Sequence, residues 1–310
     1  MKKLLVVYNI CGINGYQNIK YYLNALSSIR NQTMDNDQYD ILVSSCQSKP
    51  EVLDTLSLHG YKVIEVSDKV PVNVTFNNAI IKAPSIFNYE HEAYVYIDSG
   101  VTLNDPRSLK KLYKYISQDH ISMVSITCDS DEQHDLWGID PTGSNNDLFI
   151  MPVGKATNLH CQAFSRELCL AYGRLVPDIF ASFCTESTFS FLCAAIQTNW
   201  GIITDIVTHH ETSMDGRSAG FSPLRYIKTT NLPTSNHGFI IPSVHQRLIT
   251  QKAYELGFGY EEMRNVMMHN PSHYDHNGYC KNNELRQWIK GRLYLNVSEF
   301  DYNELTYSII

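Results

Sequence analysis

The chain has 310 residues, 43% hydrophobic and 18% charged, with 25 Lys and Arg against 32 Asp and Glu. This composition excludes intrinsic disorder and allows either one large domain or a domain of roughly 200 residues with an appendage. A net charge of −7 disfavours a broad phosphate-tracking surface, so nucleic acid is not an expected partner.

The chain opens with Met1-Lys2-Lys3 and the apolar run Leu4 to Val7, which is too short for the apolar core of a secretion signal. Its eight Cys form no CxxC pair and no regular framework, so reduced thiols and a cytoplasmic location are expected. No stretch approaches the roughly 18 apolar residues of a membrane span.

Leu4 to Tyr8 reads as a buried parallel strand ending at Asn9 and a loop with Gly12 and Gly15. Ile19, Tyr22, Leu23, Leu26 and Ile29 fall at helical spacing, and Ile41-Leu42-Val43 is a second short strand. The pattern then repeats, with Val52 to Leu58 as a helix and Lys62 to Val66 as a strand. Such alternation predicts an α/β fold, a mostly parallel sheet flanked by helices.

Phe76 to Ala83 predicts a further helix, and Ala93 to Ile97 a strand running directly into Asp98-Ser99-Gly100. In an open α/β sheet, functional residues gather at the C-terminal ends of strands. Residues 129–158, rich in Asp, Gly, Asn and Pro, predict an excursion of loops or short strands. Helices are expected over 166–172 and 187–196, and Gly201 to Val207 as a strand leading into His209-His210. Beyond about residue 230 strand signals fade, and helices are expected over 246–257, 260–268 and 283–293. The expected organisation is a domain over 1–230 and a helical C-terminal extension over 231–310.

Residues 94–103, Tyr-Val-Tyr-Ile-Asp-Ser-Gly-Val-Thr-Leu, followed by Pro106 and Leu109, resemble the Asp-x-Asp region of GT-A fold glycosyltransferases. Residues 22–33, Tyr22 to Thr33, are similar to the first helix of family 2-like members of that group, and Asn77-Asn78-Ala79 stands where they place an Arg-Asn pair. The resemblance spans roughly residues 1–215. It implies a Rossmann-like sheet and a nucleotide-sugar donor, with a UDP-sugar expected, held through a divalent metal, Mn or Mg. Asp98 would be a metal ligand, and Tyr8, Asn9, Asn77, Asp98 and Ser99 would form the donor site.

A growing diphosphate charge calls for such a cation, and hard cations take carboxylate ligands. Two departures stand out. Gly100 occupies the place of the second acid, and Ser44-Ser45-Cys46 stands where an acid would contact the donor base.

Farther on, Cys184-Thr185-Glu186-Ser187 opens a helix much as the acidic motif of inverting members does, which makes Glu186 the candidate catalytic base. The resemblance implies a late His metal ligand at His209 or His210, with His209 preferred. Neutral imidazole suits manganese better than magnesium. Arg217, beside Gly216, is a candidate diphosphate clamp.

Each residue also has a structural alternative: turn chemistry for Asp98, a favourable helix start for Glu186, and an exposed loop for Arg217. The expected activity is transfer of a hexosyl or pentosyl group, with inversion, to an acceptor hydroxyl on a glycan, or less favourably on a modified DNA base. The alternatives are a retaining enzyme of the same fold, a sugar-phosphate nucleotidyltransferase, and a non-catalytic glycan-binding module. The nucleotidyltransferase is disfavoured because Cys11 to Gly15 carries no Lys or Arg for a phosphate loop.

Overall fold

A computed structural model describes residues 4–11, 19–46, 48–67, 72–129, 147–150, 160–166, 168, 198–210 and 307–310. The first part alternates as the apolar pattern predicts: β1 (Leu4–Cys11), α1 (Ile19–Arg30), β2 (Tyr39–Cys46), α2 (Pro50–Leu58), β3 (Lys62–Val66), α3 (Val72–Phe87) and β4 (Ala93–Ile97). After these come β5 (Val101–Thr102), α4 (Ser108–Ile116), β6 (Ile121–Cys128), β7 (Leu148–Ile150), β8 (Cys161–Ser165), β9 (Asn199–His210) and β10 (Tyr307–Ile309).

The strands join in the order β10-β3-β2-β1-β4-β8-β6-β9-β5, with β7 also on β9. From β3 to β4 the ladder is wholly parallel. β8 then runs antiparallel to both β4 and β6, while β9 is parallel to β6. The sheet is therefore parallel in its first half and mixed overall, with helices on both faces. Because Cys161 at the start of β8 faces Ile97 at the end of β4, β8 enters the sheet from the end where Asp98 lies.

Parallel strands are covered on both faces, which explains why Leu4 to Tyr8 is continuously apolar and fully buried. Each such Leu or Val contributes about 1.5–3 kcal/mol. On one face, α1 buries Tyr22, Ala25, Leu26 and Ile29, α2 buries Val52, Leu53 and Leu56, and α4 buries Leu109, Leu112, Tyr115 and Ile116. These share one core with Val6, Tyr8, Val95 and Ile97. Strand side chains alternate between faces, so Tyr96 points the other way. There Phe76 of α3 meets Tyr96 with ring centroids 5.1 Å apart and Phe164 at 6.0 Å.

β7 lies so close to β9 that a Cβ on Gly201 would stand 2.9 Å from both Leu148 Cδ1 and the Phe149 carbonyl oxygen. Backbone cannot yield as a flexible side chain does. Gly201→Ala should therefore lower stability by about 1–3 kcal/mol. Urea unfolding measures this, and an unchanged midpoint would contradict the close packing.

β10 falls in the segment expected as a helical extension and lies antiparallel on β3, with mutual backbone bonds between Val63 and Ile310. The expected helices over 187–196 and 246–293 lie outside the described residues, as do most of 166–172 and most of the excursion 129–158. No helix among the described residues is long and apolar enough to cross a membrane.

Candidate functional site

Strand order reverses between β1 and β4, since β1 leads outward to β2 and β3 on one side while β4 lies on the other. The C-terminal ends of two parallel strands at such a reversal frame a crevice, the usual binding place in open α/β sheets. Asp98 follows directly on β4 at this point.

Its surroundings fix it closely. The Asp98 N–H donates to the His160 carbonyl at 2.9 Å, extending the β4–β8 pairing by one step. Oδ1 accepts from the Ser99 N–H at 2.9 Å and from the Tyr96 hydroxyl at 3.2 Å. The Val101 N–H returns to the Asp98 carbonyl at 3.2 Å, closing a tight turn in which Gly100 has φ +84°. That left-handed position favours glycine over any residue with a Cβ. The place where a second acid would stand is thus a turn position.

Tyr8 anchors the same turn from β1. Its hydroxyl accepts the Gly100 N–H at 3.2 Å, and burial raises its pKa far above the ordinary tyrosine range, so it stays neutral. Asn9, next on β1, is buried and accepts from the Thr75 hydroxyl at 2.8 Å, while Ser44 donates to the Thr75 carbonyl at 2.9 Å. Asn77, two residues on from Thr75, is also fully buried.

The turn leads into β5, which pairs antiparallel with the end of β9, placing Val101 opposite His210 and Thr102 opposite His209. His210 thereby comes to the Asp98 side. Its ring lies 4.3 Å, centroid to centroid, from that of His160, whose Nδ1 is 3.7 Å from Asp98 Oδ2. One ligand atom from each of Asp98, His160 and His210 lies within 4.8 Å of the other two, and all three side chains are half-buried. A divalent ion bonded at about 2.1 Å to each would span such a set with little rearrangement. These residues fit a metal.

His209 does not join them. Adjacent strand residues point to opposite faces, and the His209 ring meets Asp129, Nδ1 to Oδ2, at 2.6 Å. Asp129 also accepts the His210 N–H at 3.2 Å and donates its own N–H to the Thr208 carbonyl at 2.9 Å. It clamps the end of β9 just beyond the last β6–β9 pair, Cys128 with Thr208.

Of the residues singled out from sequence, Tyr8, Asn9, Asp98, Ser99 and His210 meet at the ends of β1, β4 and β9, and Asn77 lies on α3. Glu186 and Arg217 lie outside the described residues. His160 was not foreseen, since it precedes a strand with no strong apolar signal.

No family model matches the chain, and no curated protein matches it by sequence. Solved structures do resemble it in fold. The mannosyltransferase PcManGT from Pyrobaculum calidifontis, in complex with GDP-Man and Mn2+, has a TM-score of 0.56 at 13% identity over 94% of this chain and 73% of that one. S. aureus TarS 1-349 in complex with UDP-GlcNAc has a TM-score of 0.56 at 13% identity, covering 86% and 70%. GalNAc-T7 with UDP, GalNAc and Mn2+ has a TM-score of 0.54 at 12% identity, covering 68% of this chain and 44% of that one. At such identities the likeness speaks for architecture alone, and together with the strand order it establishes that this chain has a GT-A-type fold.

Proposed function

We propose that the chain is a metal-dependent glycosyltransferase that moves a sugar from a nucleotide-sugar donor to an acceptor hydroxyl, with residues 1–230 forming the catalytic domain. The observation that carries this reading is the meeting of Asp98, His160 and His210 at the strand-order reversal of a GT-A sheet. The GDP-Man, UDP-GlcNAc and Mn2+ held by the structural neighbours support it, and a UDP-sugar remains the expected donor.

A divalent ion bound there would supply positive charge to the diphosphate as it departs. Asp98 and His210 hold and orient the donor end through that ion. Tyr8 and Ser99 keep the Asp98 turn in place, the former through the Gly100 N–H and the latter through the carboxylate itself. Arg217 neutralises diphosphate oxygens.

On the acceptor side, Glu186 accepts the hydroxyl proton while that oxygen bonds to the anomeric carbon. The bond from that carbon to the diphosphate oxygen breaks on the opposite side, so the centre inverts. A glycan hydroxyl is the expected acceptor.

The geometry separates the two adjacent histidines, and this gives the test. With nucleoside diphosphate release as the readout, EDTA should stop the wild type. His210→Ala should raise the Mn2+ needed for half-activity by about tenfold or more, and His209→Ala should have a smaller effect. A larger effect at His209 would move the ligand role to that residue, and EDTA-insensitive release would remove the metal from the reaction.

A further inference from the structure

We propose that Asp98, His160 and His210 bind a divalent transition-metal ion by themselves, before any nucleotide arrives, and that they select such an ion over Mg2+. The proposal deepens the metal role given above, but the binding itself requires no sugar donor.

The first reason is ligand count. A GT-A site that offers a single carboxylate depends on phosphate oxygens to complete the shell, since Mg2+ and Mn2+ at such sites are held by one or two carboxylates and the substrate. Here position 100 cannot help, because Gly100 has no side chain and its left-handed φ disfavours one. His160 supplies the missing protein ligand from a different strand, through the β4–β8 pairing rather than through the sequence after Asp98.

The second reason is rigidity. Each ligand is tied to the sheet at its own backbone: Asp98 to His160 by a hydrogen bond of 2.9 Å, and His210 to Val101 by β5 pairing and to Asp129 by a bond of 3.2 Å. Tyr96 and the Ser99 N–H further orient the Asp98 carboxylate through Oδ1. Oδ2 is the oxygen that faces His160, 3.7 Å from Nδ1. Little conformational entropy remains to be lost when an ion enters, and that loss is what nucleotide binding would otherwise have to offset.

The third reason is ligand chemistry. Two imidazoles and one carboxylate form a mixed nitrogen and oxygen set. Mg2+ prefers oxygen and gives up water reluctantly, whereas imidazole suits Zn2+, Co2+ and, less strongly, Mn2+. An ion holding these three groups keeps coordination positions for diphosphate oxygens, so the preformed site remains compatible with the proposed reaction.

Cobalt(II) chloride titrated into the metal-free 310-residue chain without nucleotide provides the test, followed by visible absorption, with Mn2+ electron paramagnetic resonance alongside. The expected result is saturable binding of one ion with ligand-field bands, not displaced by about a hundredfold excess of Mg2+. His160→Ala and His210→Ala should each weaken Co2+ binding by about tenfold or more, while the exposed-surface control His59→Ala should not. His160→Gln keeps the side-chain bulk and serves if the alanine variant fails to fold. Binding that appears only with UDP or GDP present, displacement by equimolar Mg2+, or wild-type affinity in both His160 variants would overturn the proposal. Co2+ binding as expected with no turnover of any nucleotide-sugar would leave the metal site standing and remove the transferase reading.

Discussion

Asp98→Asn should abolish sugar transfer, by on the order of a thousand-fold or more, while leaving the fold intact. The carboxylate is the one anionic ligand in the Asp98, His160 and His210 set, and a metal ion's stabilisation of a leaving diphosphate amounts to several kcal/mol, each 1.4 kcal/mol being about tenfold in rate. The amide keeps the size of the side chain, and its oxygen can still accept from the Ser99 N–H and the Tyr96 hydroxyl. Thermal unfolding of the variant should therefore match the wild type. Single-turnover assays with the donor expected here measure the loss. Activity within a few-fold of wild type would show that Asp98 serves the turn and not the reaction.

Glu186→Gln should lower turnover by about a hundred-fold to ten-thousand-fold with donor affinity nearly unchanged. A glutamine can hydrogen-bond an acceptor hydroxyl but cannot take its proton, so the effect falls on the chemical step. Proton NMR of the first-formed product provides the companion measurement. A configuration opposite to that of the donor sugar agrees with Glu186 as base. Retention would leave Glu186 as an acceptor contact on the same fold.

The elements legible from sequence are those whose signal is local. Leu4 to Tyr8 and Ala93 to Ile97 are unbroken apolar runs because both faces are covered, and Tyr22, Leu26 and Ile29 mark a single buried stripe on α1. The strands β6 and β8 carry no clear signal in sequence, for a physical reason. Their sequences, Ile-Ser-Met-Val-Ser-Ile-Thr-Cys and Cys-Gln-Ala-Phe-Ser, carry polar residues that are buried nonetheless, among them Ser125 and Gln162. Helix α4 does carry a local signal, since Leu109, Leu112, Tyr115 and Ile116 form one buried stripe with Lys110, Lys111 and Lys114 between them on the polar face, and only its nine-residue length makes it inconspicuous.

The candidate site divides along the same line. Asp98 was visible because a strand run ended on it. His160 was not, since its approach to Asp98 depends on antiparallel pairing of β8 with β4, between segments about 60 residues apart in sequence. The choice between His209 and His210 shows the limit most clearly. In the β6–β9 ladder, Ile126 pairs with Ile203 but the next residue, Thr127, pairs with Val207, so the strand gains residues at an irregularity. Extra residues change which face each later side chain takes, and no count along the sequence reveals that. The expectation that favoured His209 had no access to this irregularity, and the structure brings His210 to Asp98.

The measurement that bears most directly on the proposed activity is release of nucleoside diphosphate from a panel of UDP- and GDP-sugars by the purified protein with Mn2+, with and without candidate glycan acceptors. Release from at least one donor, stopped by EDTA and lost in Asp98→Asn, is the predicted result. No release from any donor, by a protein shown to hold a metal ion at Asp98, His160 and His210, would contradict it.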